Sequence, residues 1–237
     1  MNAYPRKTSA LLCTLALALW AQPPYIGAQS GLDIPSPSSD YVTRLEAALL
    51  LQTLNADLLS HDSASVTLER WCSFHHLASP ARISADRVRD ADKPPTQLQR
   101  EQLRVMPRDA VRYRRVRLRC GALVVSEADN WYVPARLTPQ MNQLLDSTDT
   151  PFGLAVQSLH FQRHTISSEV LWQPLPSGWE MTPSPATGDA RELCLPSQLL
   201  QHRALLTLPD GMPFSEVVET YTSNLLAVPR LAPLHPC

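Results

Sequence analysis

Residues 113–163 read YRRVRLRCGALVVSEADNWYVPARLTPQMNQLLDSTDTPFGLAVQSLHFQR. From Val111 to Arg119 the pattern has period two, with Arg115, Arg117 and Arg119 on one face and Val116, Leu118 and Cys120 on the other. That alternation is the mark of a half-buried strand. Gly121 offers a turn, and Leu123 to Val133 returns as a second strand that Pro134 ends. Thr138 is placed to cap a short helix whose Met141, Leu144 and Leu145 face inward. Pro151-Phe152-Gly153 then opens another helical turn. Hairpin followed by helix, in close succession, predicts an antiparallel sheet with helices laid on it.

Upstream, Asp40 or Thr43 is placed to cap a helix over Val42–Leu59, where Leu45, Leu49, Leu54 and Leu58 recur at helical spacing. Ser65 to Trp71, SVTLERW, alternates β-formers with polar residues and predicts a strand. Residues 78–108 are polar around Pro94-Pro95 and predict a long loop or flap with short helical turns. Downstream, Leu159–Trp172, Leu199–Leu208 and Pro213–Thr222 predict further strands, the last two joined at Pro209-Asp210-Gly211. The expectation is an α+β domain, a single mostly antiparallel sheet of about six strands with helices packed on one face.

The chain ends bear on compartment. Arg6 and Lys7 precede an apolar run from Leu11 to Trp20, with small residues at Ala21 and Ala28. This pattern predicts a secretory signal over residues 1–28, because the run is shorter than the about 20 residues a membrane span needs. A leader over 29–40, a domain over 41–228 and a proline-rich tail over 229–237 follow. Cleavage removes Arg6 and Lys7 from the 21 basic residues and leaves 19 against 22 acidic ones, a formal charge of −3. No clustered positive charge points to nucleic acid. Export predicts a periplasmic or secreted protein, with no membrane span once the signal is cut and a monomeric state. Cys72, Cys120, Cys194 and Cys237 remain, and an even count in an exported chain predicts two disulfides, with three pairings open. Their spacings are too wide for a zinc ribbon, and no metal or organic cofactor is implied.

Chemistry-bearing residues are few. Three arginines along one strand face need anionic partners, either Glu127, Asp129 and Glu219 or a bound carboxylate, which a guanidinium fork grips with two parallel hydrogen bonds. Glu219 alternates with Val217 and Tyr221, so it sits among core-type residues. Two readings stay open for it: an ion pair with Arg203, or a group that meets a ligand hydroxyl. Gly153 can bring backbone N–H groups close to a ligand. His160, His164 and His202 have no Ser or Asp arrangement of a hydrolase triad, and Ser126 lacks the glycines of a nucleophile elbow.

The order of these segments resembles the chorismate lyase family, whose members release pyruvate from chorismate to leave 4-hydroxybenzoate. SASVTLERW resembles that family's first strand after its leading helix, and YRRVRLRC its strand with a substrate-binding arginine. Counting back from Cys120, the resemblance places that arginine at Arg115. TPFG resembles a Pro-Leu-Gly step whose backbone donors fall here on Gly153 and Leu154, and Arg163 sits where the family often has an arginine. GMPFSEVVETY resembles the strand with the active-site glutamate, which falls on Glu219 when one residue is inserted after Pro213. A second family arginine is replaced by Asn130, and Arg136 lies nearby. The resemblance implies a cofactor-free carbon–oxygen lyase in which Arg115 and Glu219 are catalytic, while Asn130, Gly153 and Leu154 complete a site for a small-molecule carboxylate. The same fold is similar to ligand-binding modules of bacterial transcription regulators, so two alternatives stand beside the lyase. One is a non-catalytic periplasmic module for an aromatic carboxylate, and the other a structural or partner-binding envelope protein.

Overall fold

The structure is a computed structural model, and it describes residues 39–182, 193–228 and 235–236. The predicted signal, most of the leader, and most of the proline-rich tail lie outside the described residues. Helix α1 spans Ser39–Leu59, and Asp40 in its first turn accepts a hydrogen bond from Arg44 Nε at 2.9 Å. Helix α2 (Ala64–Phe74) occupies the segment for which a strand was expected. Ser63 caps it, its Oγ accepting from Val66 N–H, and the buried residues Ala64, Leu68, Trp71 and Cys72 recur three and four apart. Val66 and Thr67 favour a strand locally, but an apolar stripe with helical period prevails once it has a core to face.

Residues 78–108 also hold more order than expected. Strand β1 (Ile83–Val88) buries Ile83 and Ala85, and α3 (Gln97–Gln102) begins in a capping box between Thr96 and Gln99. Seven further elements follow the sequence closely, β2 (Arg112–Cys120), β3 (Leu123–Tyr132), α4 (Pro139–Ser147), α5 (Phe152–Ala155), β4 (Gln162–Val170), β6 (Gln198–Thr207) and β7 (Pro213–Thr222), while the two-residue strands β5 (Cys194–Leu195) and β8 (His235–Pro236) were not expected. Thr138 caps α4 as expected, although Leu144 is exposed while Met141 and Leu145 are buried.

Six strands form one sheet in the order β1-β2-β3-β7-β6-β4, every neighbouring pair antiparallel. β5 and β8 pair separately in parallel. This is the α+β sheet that the sequence predicts. Two apolar clusters lie on its front face. One joins Leu51, Leu54 and Leu58 of α1 to Leu68, Leu118 and Tyr221; the other joins Met141, Leu145 and Phe152 to Phe214 and Leu206. The reverse face is covered at one end, where α3 and Leu103 pack near Trp131 and Gln99 Nε2 donates to Glu216 Oε1 at 3.2 Å. Helices therefore reach both faces, although the larger layer is in front.

A disulfide joins Cys72 of α2 to Cys120 at the end of β2, with Cα atoms 6.2 Å apart. It staples the front helical layer to the sheet across 48 residues of chain. Gly121 follows at φ +57°, where a Cβ would lie 2.7 Å from that of Ala78. The turn therefore needs glycine for both its backbone hand and its clearance. Cys194 is disulfide-bonded as well.

Candidate functional site

Strand parity decides which side chains meet. On the front face, Arg114 pairs in register with Asn130, and Val116 with Ala128, which in turn pairs with Glu219. Glu219 faces His202 across β6, and Arg163 of β4 lies opposite Leu206. Arg114, Asn130, Arg163 and Glu219 line one small cavity beneath the α1–α2 connection and α5. Its volume is about 30 Å³, enough for a water or two. Asp62, Ser63 and Ser65 roof it, and Val116, Leu118, Phe152 and Phe161 give it apolar walls. Gly153 lets α5 approach that roof, since a Cβ there would stand 2.6 Å from Ser63 Oγ.

Buried polar groups around this cavity are only partly satisfied. Arg163 Nη2 donates to Glu219 Oε2 at 2.5 Å, with side chains 3% and 9% exposed. Tyr221 Oη donates to the same oxygen at 3.0 Å. Ser215 Oγ donates to Asn130 Oδ1 at 2.5 Å, and Arg114 Nη2 donates to the Thr150 carbonyl at 3.1 Å. Arg114 Nε, Asn130 Nδ2 and Arg163 Nε are buried without a partner among the described residues. Three unmet N–H donors at one small cavity are costly unless something accepts from them.

Charge points the same way. Glu219 neutralises Arg163, but Arg114, 3% exposed, has no carboxylate within 4 Å among the described residues. Burial, and then the Arg87 charge, push the Arg114 guanidinium down to about 10. Burial would also lower Arg163, but Glu219 and Tyr221 outweigh it and hold that guanidinium above its ordinary value. Tyr221 is driven well upward, chiefly by burial and then by Glu219, and so stays a neutral donor. Burial lowers His202 to about 4, and its Nε2 bonds Asn55 Oδ1 of α1 at 2.8 Å. The first turn of α2 adds a positive dipole end to the roof, because Ala64 and Ser65 both line the cavity.

The structure brings three of the five expected site residues together: Asn130, Gly153 and Glu219. Arg115 is elsewhere. It lies on the reverse face with its side chain 44% exposed, near Glu127 at 3.4 Å and Asp129 at 3.9 Å. Cys120 faces the front, so only residues an even number of positions away share its face; of the two arginines that do, Arg112 is exposed at the strand end and Arg114 is buried. A count short by one residue put the arginine on the wrong side of the sheet. Leu154 does not line the cavity, and its N–H donates to the Pro151 carbonyl at 3.1 Å within the turn. Arg136 does not replace an arginine at Asn130; it binds the carbonyls of Leu103, Arg104 and Pro213. Arg203 pairs with Glu216 on the reverse face at 2.7 Å, which leaves Glu219 to Arg163. Arg114 was legible as the residue sharing parity with Val116 and Leu118. Ser63 and Ser65 carried no signal once a strand was read there.

Fold and cavity together define an α+β protein, built on one six-stranded sheet, with a charged, partly unsatisfied pocket between that sheet and its helices. By sequence the chain belongs to the family of protein y4mC from Sinorhizobium fredii (strain NBRC 101917 / NGR234), to which it is 50% identical over 194 residues, covering 81% of each chain. No family model matches the chain. Among solved structures it is similar to the effector domain of PhnF from Mycobacterium smegmatis, at 10% identity and a TM-score of 0.43, covering 69% of this chain and 90% of that one. It is also similar to a GntR-family transcriptional regulator from Enterococcus faecalis V583, at 12% identity and a TM-score of 0.38, covering 59% and 94%. For YydK from Bacillus subtilis the identity is 11% and the TM-score 0.38, and the chain spans 58% of that protein's length against 60% of its own. Similarity at this level leaves function to the chain's own residues. Among the described residues no helix is long and apolar enough to cross a membrane, and no group of three or more His, Cys, Asp or Glu is placed to hold a metal ion.

Proposed function

We propose that the domain binds a small organic carboxylate in the front cavity and acts as a binding module, exported if the signal over residues 1–28 is used. Arg114 carries the proposal, as a buried guanidinium whose Nε has no partner and which has no carboxylate in direct contact among the described residues, Asp146 and Asp149 acting on it only from a distance. A carboxylate there would accept from Arg114 Nε and Asn130 Nδ2 and face the first turn of α2. Charge-assisted hydrogen bonds of this kind are worth about twice neutral ones. Calorimetric titration of the purified protein with propionate and 4-hydroxybenzoate tests this. Binding that Arg114→Met removes is the expected result, and heat of dilution alone with both acids refutes it.

Catalysis is the second reading, favoured by the resemblance to chorismate lyase and by a buried carboxylate, Glu219, beside two guanidiniums. In that reading Arg114 takes the role expected of Arg115, and elimination of pyruvate is driven by aromatisation while the protein supplies position and charge. Two observations weigh towards binding without turnover. Asn130 stands where a second cationic clamp is expected, and a cavity of about 30 Å³ holds a carboxylate group but not a ring. Incubation with chorismate and detection of pyruvate separates the readings: release abolished by Glu219→Gln selects the lyase, and no release selects the binder.

A further inference from the structure

We infer that a second site lies between α1 and residues 170–180, at and beyond the end of β4, and that it takes a hydrophobic organic cation. It shares no lining residue with the front cavity and does not rest on the carboxylate reading. Helix α1 is apolar on two nearly opposite sides. Leu54 and Leu58 are buried in the core, whereas Leu45, Ala48, Leu49 and Gln52 recur three and four apart on the other side. Leu49 there is 69% exposed, more apolar surface than the core consumes. Trp172, Pro174, Leu175 and Trp179 face this side across a cavity of about 630 Å³, a volume that suits a drug-sized organic molecule. Hydrogen bonds hold both walls in place. Arg44 Nη1 of α1 donates to the Pro174 carbonyl at 3.1 Å, and Leu171 N–H donates to the Leu199 carbonyl of β6 at 2.8 Å. Trp179 N–H donates to the Pro176 carbonyl at 3.2 Å. The concavity is therefore built before any ligand arrives.

Charge complementarity selects the class of ligand. Glu180 is the one ionisable side chain in the described lining, which holds no Lys, Arg or His. Glu180 is exposed and makes no ion pair among the described residues. Arg44, behind the Pro174 wall, has its own charge met by Asp40 at 2.9 Å. The tryptophans add to this. Trp71 and Trp131 are buried in the core, with their indole N–H groups given to the carbonyls of Leu225 and Lys93. Trp172 is half-buried and Trp179 is 37% exposed, so both keep ring surface at the cavity. The face of an indole attracts a cation, and a nearby carboxylate adds to the attraction. An anion here meets Glu180 with no cation in the lining to offset it, and a neutral molecule gains apolar burial alone.

Equilibrium dialysis of the purified protein against tetraphenylphosphonium, benzyltrimethylammonium and tetraphenylborate, in sodium buffer, tests the inference. The phosphonium and the borate share size and shape and differ in the sign of their charge. At least one of the two cations should bind saturably, at least about tenfold more tightly than the borate. Glu180→Gln should weaken that binding about threefold or more, and Trp179→Leu, which keeps an apolar side chain, about fivefold or more. Glu180 is exposed, so its variant keeps the test intact even if Trp179→Leu does not fold. Borate binding as tightly as the better cation overturns the ligand class. Cation binding unchanged in both variants places it elsewhere on the protein and overturns the site. No saturable binding of either cation overturns the inference outright. None of these results bears on the front cavity, so the carboxylate reading stands or falls by its own titration.

Discussion

Replacing Arg114 by Met should make the ligand-free protein more stable while removing its ligand. The side chain is 3% exposed and has no carboxylate partner, and burial lowers its pKa from 12.5 to about 10. That fall corresponds to roughly 3 kcal/mol by which the charged form is disfavoured where it sits. Methionine keeps the unbranched length, fills the same space and carries no charge to desolvate. Against this gain stands the hydrogen bond from Arg114 Nη2 to the Thr150 carbonyl, whose loss costs about 1 kcal/mol. The net expectation is a gain of about 1–2 kcal/mol, or a rise of roughly 3–6 °C in Tm for a domain of this size. Urea and thermal unfolding without ligand measure it. A carboxylate at a hundred times its Kd should then add about 2.7 kcal/mol to the wild type and nothing to the variant. A ligand-free Arg114→Met protein less stable than wild type by 1 kcal/mol or more would refute the reasoning. Arg114 would then be a structural residue whose unmet Nε has another explanation.

Arg115→Ala provides the contrast: its side chain is 44% exposed and it pairs only with Glu127 and Asp129 across the reverse face, so stability should change by less than about 1 kcal/mol and ligand titrations should match wild type. The Cys72–Cys120 bridge closes 48 residues of chain, and a double Cys→Ala variant should lose about 2–4 kcal/mol in denaturant unfolding. His202 predicts a pH dependence with a definite sign. Burial holds it neutral down to about 4 when folded, against an ordinary 6.5 when unfolded. Below 6.5 the unfolded chain therefore takes up a proton that the folded one refuses. Stability contributed by the neutral imidazole is intact above pH 6.5 and is lost as pH falls towards 4, by on the order of 2 kcal/mol. His202→Gln should flatten that part of the urea-midpoint profile, and an unchanged slope would show that other groups produce it.

Much of the fold was legible because β2 alternates cleanly, β6 does so over its second half, and the apolar runs of β3 and β7 are set off by Gly121, Pro134 and Asp210-Gly211. Glu219 stood out as a carboxylate between Val217 and Tyr221 and Gly153 as a glycine that lets backbone come close, while Asn130 was found through the resemblance. Where the reading failed, local pattern and tertiary context disagreed. SVTLERW carries β-branched residues in a short window, and only the core beneath it makes the helical stripe of Leu68, Trp71 and Cys72 the better choice. Strand β1 was hidden in a polar stretch because just Ile83 and Ala85 face inward.

By itself the sequence determined periodicity, and with it the antiparallel α+β sheet and the presence of arginines and a glutamate on its strands. The sheet's assembly decided which of those charges share a face. Adjacent residues of a strand point to opposite sides, so a slip of one position exchanges a solvated Arg115 for a buried Arg114. Chain order also says nothing of who stands across the sheet. Glu219 meets Arg163 rather than Arg203 because Arg163 reaches over β6 from β4 on the front, while Arg203 of β6 points to the reverse face and takes Glu216. That pairing leaves Arg114 buried with no carboxylate in contact among the described residues, an arrangement that exists only once the strands have paired.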